Sequence, residues 1–376
     1  MKKKILIASV LKPVNDTRKY EKIGISLVRN LDCHVHIAGH YIHDFDWNKQ
    51  GFTFHPIYKF SRISIGRVFA GLKFLLLLVK LKPDLIICET VELLFPSCIY
   101  KIFSKTKLLY DIRENYFRNF LYTNTFPPIA RHALALYVRS LEWCTQPVVN
   151  GYILAEKIYK EQCVFVKNKY IILENKPRGE LLKPYLKRPS SLKNKDSIKL
   201  IYSGTISEHY GIFEAVQLAE SLNSLDRRFK LTIVGFSAKK NTLSKLLHII
   251  KGKVFIQLIG GDKLVSHEKI LFELSQADIG LISYRPNKST EGRIPTKLYE
   301  YIALKLPYII NYDPMWEKIT HLYQSGLIIN YASYDGSSLI NSIFENSFYS
   351  NTDLPPSYWE DEEHKLIHFA RKYLKN

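Results

Sequence analysis

Short apolar runs alternate with longer helical stretches along this chain, in two successive series. The first series of strand candidates is 4–9 (KILIAS), 34–39 (HVHIAG), 84–89 (DLIICE), 107–112 (KLLYDI), 151–155 (GYILA) and 170–174 (YIILE). The second is 199–202 (KLIY), 231–234 (LTIV), 254–259 (VFIQLI), 278–283 (DIGLIS), 308–311 (YIIN) and 327–330 (LIIN). Helical stretches such as 18–30 and 91–103 lie between most of them. A strand apolar at successive positions is covered on both faces, the mark of a parallel sheet flanked by crossover helices. Between the series, residues 183–197 (KPYLKRPSSLKNKDS) are polar, rich in Pro and Ser, and aperiodic, and they read as a linker. The expected fold class is therefore α/β, with two doubly wound parallel-sheet, Rossmann-like domains. They span 1–182 and 199–358, joined by a linker over 183–198, and ligands are expected at the carboxyl ends of the strands. A length of 376 residues suits two such domains better than one.

Composition narrows the functions open to the chain. Hydrophobic residues make up 46% and charged residues 24%, which excludes a mostly disordered polymer. The longest apolar run, 74–79 (FLLLLV), is far short of the roughly 20 residues a spanning helix needs. The amino-terminal apolar stretch is short and lacks a small-residue cleavage site, so no secretory signal is expected. Five cysteines with no CxxC pair support neither a disulfide framework nor a zinc site, which suits the cytoplasm. The net charge of +19 is uneven: residues 1–185 hold 29 Lys and Arg against 15 Asp and Glu. The first half is thus the part that meets something anionic.

Two stretches of the second half carry candidate chemistry. Strand 199–202 runs into Ser203-Gly204-Thr205, where a glycine lets backbone approach a bound group closely. Residues 291–306 (EGRIPTKLYEYIALKL) place Pro295 at the first position of a helix, with Thr296 and Lys297 in its opening turn. Free amides, the positive helix end and the Lys297 ammonium together form a diphosphate site. Glu300, one turn on, offers a carboxylate for two hydroxyls such as a ribose presents. A surface Lys/Glu pair would have the same spacing.

The runs 202–222 (YSGTISEHYGIFEAVQLAESL), 277–284 (ADIGLISY) and 295–310 (PTKLYEYIALKLPYII) resemble the donor domain of GT-B fold nucleotide-sugar glycosyltransferases, family 4 in particular. Residues 15–27 (NDTRKYEKIGISL) and the KPDLIIC…KLLYDIREN frame of 82–115 resemble that family's acceptor domain. Residues 359–376 resemble its final helix, which crosses back to the first domain. The resemblance implies two domains facing across a cleft and a retaining transfer from a UDP- or GDP-linked sugar, without cofactor or metal. It implies a lipid-linked glycan or oligosaccharide acceptor in bacterial surface polysaccharide or glycolipid assembly. Lys297 matches the donor diphosphate contact and Glu300 the ribose carboxylate. Thr296 matches an amide contact to phosphate, and Gly204 and Thr205 the turn facing the donor. The family's paired glutamates have seven residues between them; here Glu291 and Glu300 have eight, with Gly292 at the expected place, and Glu291 is carried over as the sugar contact with that departure. A basic residue common after the glycine turn is absent from Ile206-Ser207-Glu208-His209, which leaves Arg293 to share the phosphate work.

On the acceptor side Asp16 and Arg18 follow the first strand, either as cleft residues or as a helix cap. Asp111, Arg113 and Glu114 follow another strand. Relatives often carry a histidine near Arg113; an arginine cannot act as general base, so Asp111 and Glu114 are the alternatives. Asp44-x-Asp46 is a weak metal motif in an aromatic loop. No acidic residue lies between Asp46 and Asp84, and Lys73 and Lys80 sit two turns apart on one side of a helix over 66–82. Such a helix either covers the sheet or lies on an anionic membrane at the inner face of the plasma membrane. A dinucleotide-dependent oxidoreductase is excluded by the lack of G-x-G-x-x-G after the first strand. No nucleic-acid-binding signature accompanies the charge. The competing reading from another class is a GT-B protein that binds a nucleotide sugar or glycan without catalysis.

Overall fold

The computed structural model describes residues 2–43, 45–60, 65–67, 69–123, 126–186, 192–350 and 357–374. Two compact units result: residues 1–178 with 287–293 and 359–376, and residues 179–286 with 294–358. Asp44 of the Asp44-x-Asp46 motif and residues 187–191 of the expected linker lie outside the described residues.

The first unit is built on seven parallel strands: β1 Lys3–Pro13, β2 Cys33–His40, β3 Phe52–Tyr58, β4 Leu85–Cys88, β5 Lys107–Ile112, β6 Gly151–Leu154 and β7 Tyr170–Ile172. Their order is β3-β2-β1-β4-β5-β6-β7, with the direction of growth reversing at β1. Residues of β1 alternate between two cores. Leu6, Ala8 and Val10 meet Phe74, Leu77 and Leu78 of the helix Ala70–Leu81. Ile5 and Ile7 share the opposite core with Leu366 and Phe369 of the helix Trp359–Leu374. Trp359 anchors that helix, its indole N–H donating to Ser26 Oγ at 2.9 Å.

Six of these strands coincide with the apolar runs of the sequence. β3 does not: FTFHPIY alternates, and Pro56 argues against an interior strand. β3 is an edge strand paired only with β2, where a missing amide donor leaves no ladder bond unmade. The first helical stretch also differs from an ordinary helix, since Thr17–Gly24 winds in wide i→i+5 turns before Ile25–Asn30 continues as α-helix.

The second unit has six parallel strands: β8 Ile198–Thr205, β9 Phe229–Phe236, β10 Ile256–Gly261, β11 Ile279–Ile282, β12 Tyr308–Asn311 and β13 Gly326–Ile329. Their order, β10-β9-β8-β11-β12-β13, reverses direction at β8. Helix Ile212–Leu225 covers one face with Ile212, Ala215, Leu218 and Leu222. Helix Thr296–Ala303 covers the other with Leu298, Tyr301 and Ile302.

Candidate functional site

In the second unit the helix Thr296–Ala303 is pinned by Tyr301. Its ring lies against Gly280 of β11, where an added Cβ would sit 2.3 Å from a ring carbon, so only glycine fits. Its hydroxyl is 3.1 Å from Ser203 Oγ at the end of β8. This double anchor brings the first turn of the helix to Ser203-Gly204-Thr205, which are the last residues of β8, still paired with β9, where the sequence predicts a turn. Pro295 is the cap rather than the first helical residue: its φ of −57° suits either place, but its ψ of 131° is extended. Thr296 therefore opens the helix.

Lys297 runs into the space above Gly204. A Cβ added at Gly204 would lie 3.3 Å from Lys297 Cε and 3.8 Å from Nζ, and the backbone there has φ +88°, which favours glycine. The Lys297 ammonium sits 4.3 Å from the Tyr202 ring centroid and 5.3 Å from that of Tyr284. Lys297 is only 8% exposed, and its Nζ has no hydrogen-bond partner. Burial brings its pKa down to about 7, against the opposing pull of Glu300. A buried cation flanked by ring faces and lacking an acceptor is suited to receive an anionic oxygen. Glu300 lies one turn on, partly exposed, with Oε1 3.7 Å from His267 Nε2. Thr205 is exposed and Thr296 half-buried at the same end of the sheet. The structure thus brings Gly204, Thr205, Thr296, Lys297 and Glu300 together within one unit.

Glu291 and Arg293 belong to the other unit, through the 287–293 segment. Glu291 Oε2 accepts from Arg118 at 2.7 Å, and Arg118 also donates to the Lys288 carbonyl. The Arg293 guanidinium stands 6.0 Å from the Tyr159 ring centroid. Both are engaged with the first unit's own residues.

At the carboxyl end of the first sheet, Arg18 and Asp111 form a two-pronged pair, Nε to Oδ2 and Nη2 to Oδ1, each 2.8 Å, with both side chains buried. Arg18 donates further to the Leu173 carbonyl and to Asn175. Asp16 caps the wide helix by accepting from the amides of Arg18 and Lys19, and it also takes Arg113 at 2.7 Å. Of the two sequence readings of Asp16, the structure shows the helix cap, and it adds the ion pair with Arg113. Burial works to raise the Asp16 pKa, yet the Arg113 guanidinium beside it holds the carboxyl below its usual range. Arg113 donates a second time, to Glu89 Oε2 at 2.9 Å. Asp111, with both oxygens taken by Arg18, supports that guanidinium. Glu114 accepts from Asn119 at 2.8 Å.

Two members of this cluster were not singled out from sequence. Glu89 follows β4 and is fully buried; Oε1 has no hydrogen-bond partner, and burial raises its pKa. Lys19, also fully buried, donates to the Ala38 carbonyl at 3.0 Å, and burial brings its pKa down to about 8. The signal for Glu89 was present, since it is an acid at the carboxyl end of a buried strand, as Asp111 is within the last two residues of β5. Among the described residues no three His, Cys, Asp or Glu side chains are placed to hold a metal ion.

Residues 186–352 match the family model described as glycosyl transferases group 1. No curated protein matches the sequence. The fold is similar to that of a glycosyltransferase from Rickettsia africae, at 15% identity and TM-score 0.61, covering 99% of this chain and 96% of that one. It is also similar to sucrose-phosphate synthase from Thermosynechococcus elongatus, at 13% identity and TM-score 0.64, over 99% and 94% of the two chains. A third similar structure is the Anabaena protein HepE in complex with UDP and glucose, at 11% identity and TM-score 0.62, over 98% and 97%.

Proposed function

From a chain with the GT-B fold whose residues 186–352 match glycosyl transferases group 1, we propose a nucleotide-sugar-dependent glycosyltransferase. The observation that carries the reading is the buried Lys297 ammonium, without a hydrogen-bond acceptor, against Gly204 at the end of β8. A donor diphosphate supplies what this cation lacks, and the first turn of the Thr296–Ala303 helix, to which Lys297 belongs, has no side-chain cap on its amides. Glu300 accepts the ribose hydroxyls. Lys297 stabilises the charge that develops on the leaving diphosphate, an electrostatic task suited to a desolvated ammonium.

The transfer retains anomeric configuration and uses no metal. The acceptor oxygen bonds to the anomeric carbon as the bond to phosphate breaks, and the departing phosphate oxygen takes the acceptor proton. No carboxylate dyad is then required, and Arg113 in place of a histidine is accommodated. The acceptor is a lipid-linked glycan or polysaccharide of the bacterial surface, met at the inner face of the plasma membrane, in keeping with the basic first half. UDP is the first nucleotide to test, because HepE holds UDP and glucose.

Calorimetric titration of UDP, GDP, ADP and CMP into the wild type and Lys297→Ala tests the donor site. Saturable binding of one nucleotide, weakened by about 10- to 100-fold in the variant, is the expected result for a lost charge-assisted hydrogen bond. No binding by folded protein across the panel removes the assignment. Sugar transfer from the matching conjugate then separates an enzyme from a non-catalytic binder.

A further inference from the structure

The helix Ala70–Leu81 meets its sheet through Phe74, Leu77 and Leu78, and its opposite side is apolar as well. Leu72, Leu76 and Val79, spaced four and three apart, form one stripe and are 57%, 63% and 56% exposed. A helix covering a sheet ordinarily turns polar residues outward. The neighbouring helix Leu94–Ile102 ends in Ile102 and Phe103, 74% and 85% exposed. Between the two helix ends lies a groove of about 1100 Å³ with Leu75, Val79, Ile99 and Phe103 in its walls and Lys82, Lys105 and Lys107 among its lining residues. Exposed Lys73 and Lys80 lie on the same helix as the stripe. The acids nearby are engaged: Asp84 with Lys3 at 3.3 Å, and Glu92 with Arg67.

We infer that this face of the first unit docks on an anionic lipid bilayer, with Leu72, Leu76 and Phe103 entering the interfacial layer and the lysines meeting headgroup phosphate. The inference rests on the reading of a lipid-linked acceptor and adds the face that holds the chain at the bilayer, beside the amino ends of β1, β4 and β5 and away from their carboxyl ends. An apolar stripe alone would equally suit a second copy of the chain. The lysines decide between them, because a two-fold dimer through this face would set like charges against like, whereas an anionic surface complements them. Apolar side chains at the acyl boundary and basic residues at the headgroups add their contributions to such binding.

The test is flotation of the full chain with vesicles of two parts phosphatidylcholine to one part phosphatidylglycerol, beside vesicles of phosphatidylcholine alone. The protein is expected to float with the first and not with the second. Replacing Leu72 and Leu76 together by Gln lowers partition at least tenfold, and Lys73→Gln or Lys80→Gln lowers it about fivefold each. These side chains are exposed, so thermal melts stay close to wild type. Protein that stays unbound with anionic vesicles overturns the inference, as does a doubly Gln-substituted chain that floats like wild type. A change from twice the chain mass to the 43.9 kDa monomer in that variant, without flotation of the wild type, gives the face to a second copy instead. UDP titration of the same variants reads the donor site separately: unchanged binding with lost flotation touches only the membrane face, and absent binding with intact flotation touches only the donor reading.

Discussion

At the carboxyl end of the first sheet, Arg18 and Asp111 meet through two hydrogen bonds of 2.8 Å, and Arg113 is shared between Asp16 and Glu89. At the same end of the second sheet, Lys297 is also buried but has two aromatic faces and no acceptor. Both places bury charge at the point where strand order reverses, the usual position of a ligand crevice in open parallel sheets. In the first, the protein supplies the counter-charges itself, so removing one partner strands another in a low-dielectric setting. In the second, the counter-charge is missing, so removing the cation leaves nothing stranded. One cluster therefore bears mainly on stability and the other mainly on binding.

The largest expected effect breaks the paired side of this contrast. Arg18→Ala leaves Asp111 buried without its partner and should lower unfolding free energy by about 3–5 kcal/mol, read by urea denaturation. Lys297→Ala removes a buried charge that opposes folding, so it should not lower stability, while it weakens nucleotide binding by about 2 kcal/mol, the net worth of a hydrogen bond to a charged group. Equal stability losses in the two variants would erase the distinction. Next comes pH. The folded Lys297 pKa of about 7 lies below the unfolded 10.5, so burial of its charge opposes folding below about pH 7, and that penalty is relieved between pH 7 and 10.5. Binding has the opposite sense. Above pH 7 the diphosphate must recruit a proton to Lys297, so affinity should fall by at most about tenfold per pH unit from 7 to 9. Titrations in buffers of differing ionisation enthalpy should show proton uptake, and Lys297→Ala should abolish it. The smallest effect is at Glu300: Glu300→Gln should weaken nucleotide binding by about 1 kcal/mol through the ribose, with no change for inorganic diphosphate.

Among the described residues, twelve of the thirteen strands could be read from sequence because a strand covered on both faces is apolar at nearly every position. β3 was not, because it lies at an edge and tolerates Pro56 and alternation. The Gly204, Thr296, Lys297 and Glu300 grouping was legible because each is fixed by a strand end or a helix start, which are local signals. Its stabilising detail, Tyr301 across Gly280, was not, because that contact joins residues of two elements through packing alone. The same holds for Glu291, whose partner Arg118 is 173 positions away in the chain. Glu89 shows the reverse case of a readable signal, an acid at a strand end, that local spacing gave no reason to choose over Glu92.

The wide winding of Thr17–Gly24 bears on how this chain tolerates insertion and deletion. An i→i+5 helix holds more residues per turn than an α-helix, so the segment carries slack along its length. Deleting one residue within it would let the helix close toward ordinary turns and keep the residues on either side near their present faces, because the wide turns hold the extra length. Arg18, Lys19 and Lys22 lie inside those turns, and the winding sets them toward Asp111, the Ala38 carbonyl and the Asn175 carbonyl that receive them. A length change here would thus be absorbed by the backbone and felt first by these buried cations.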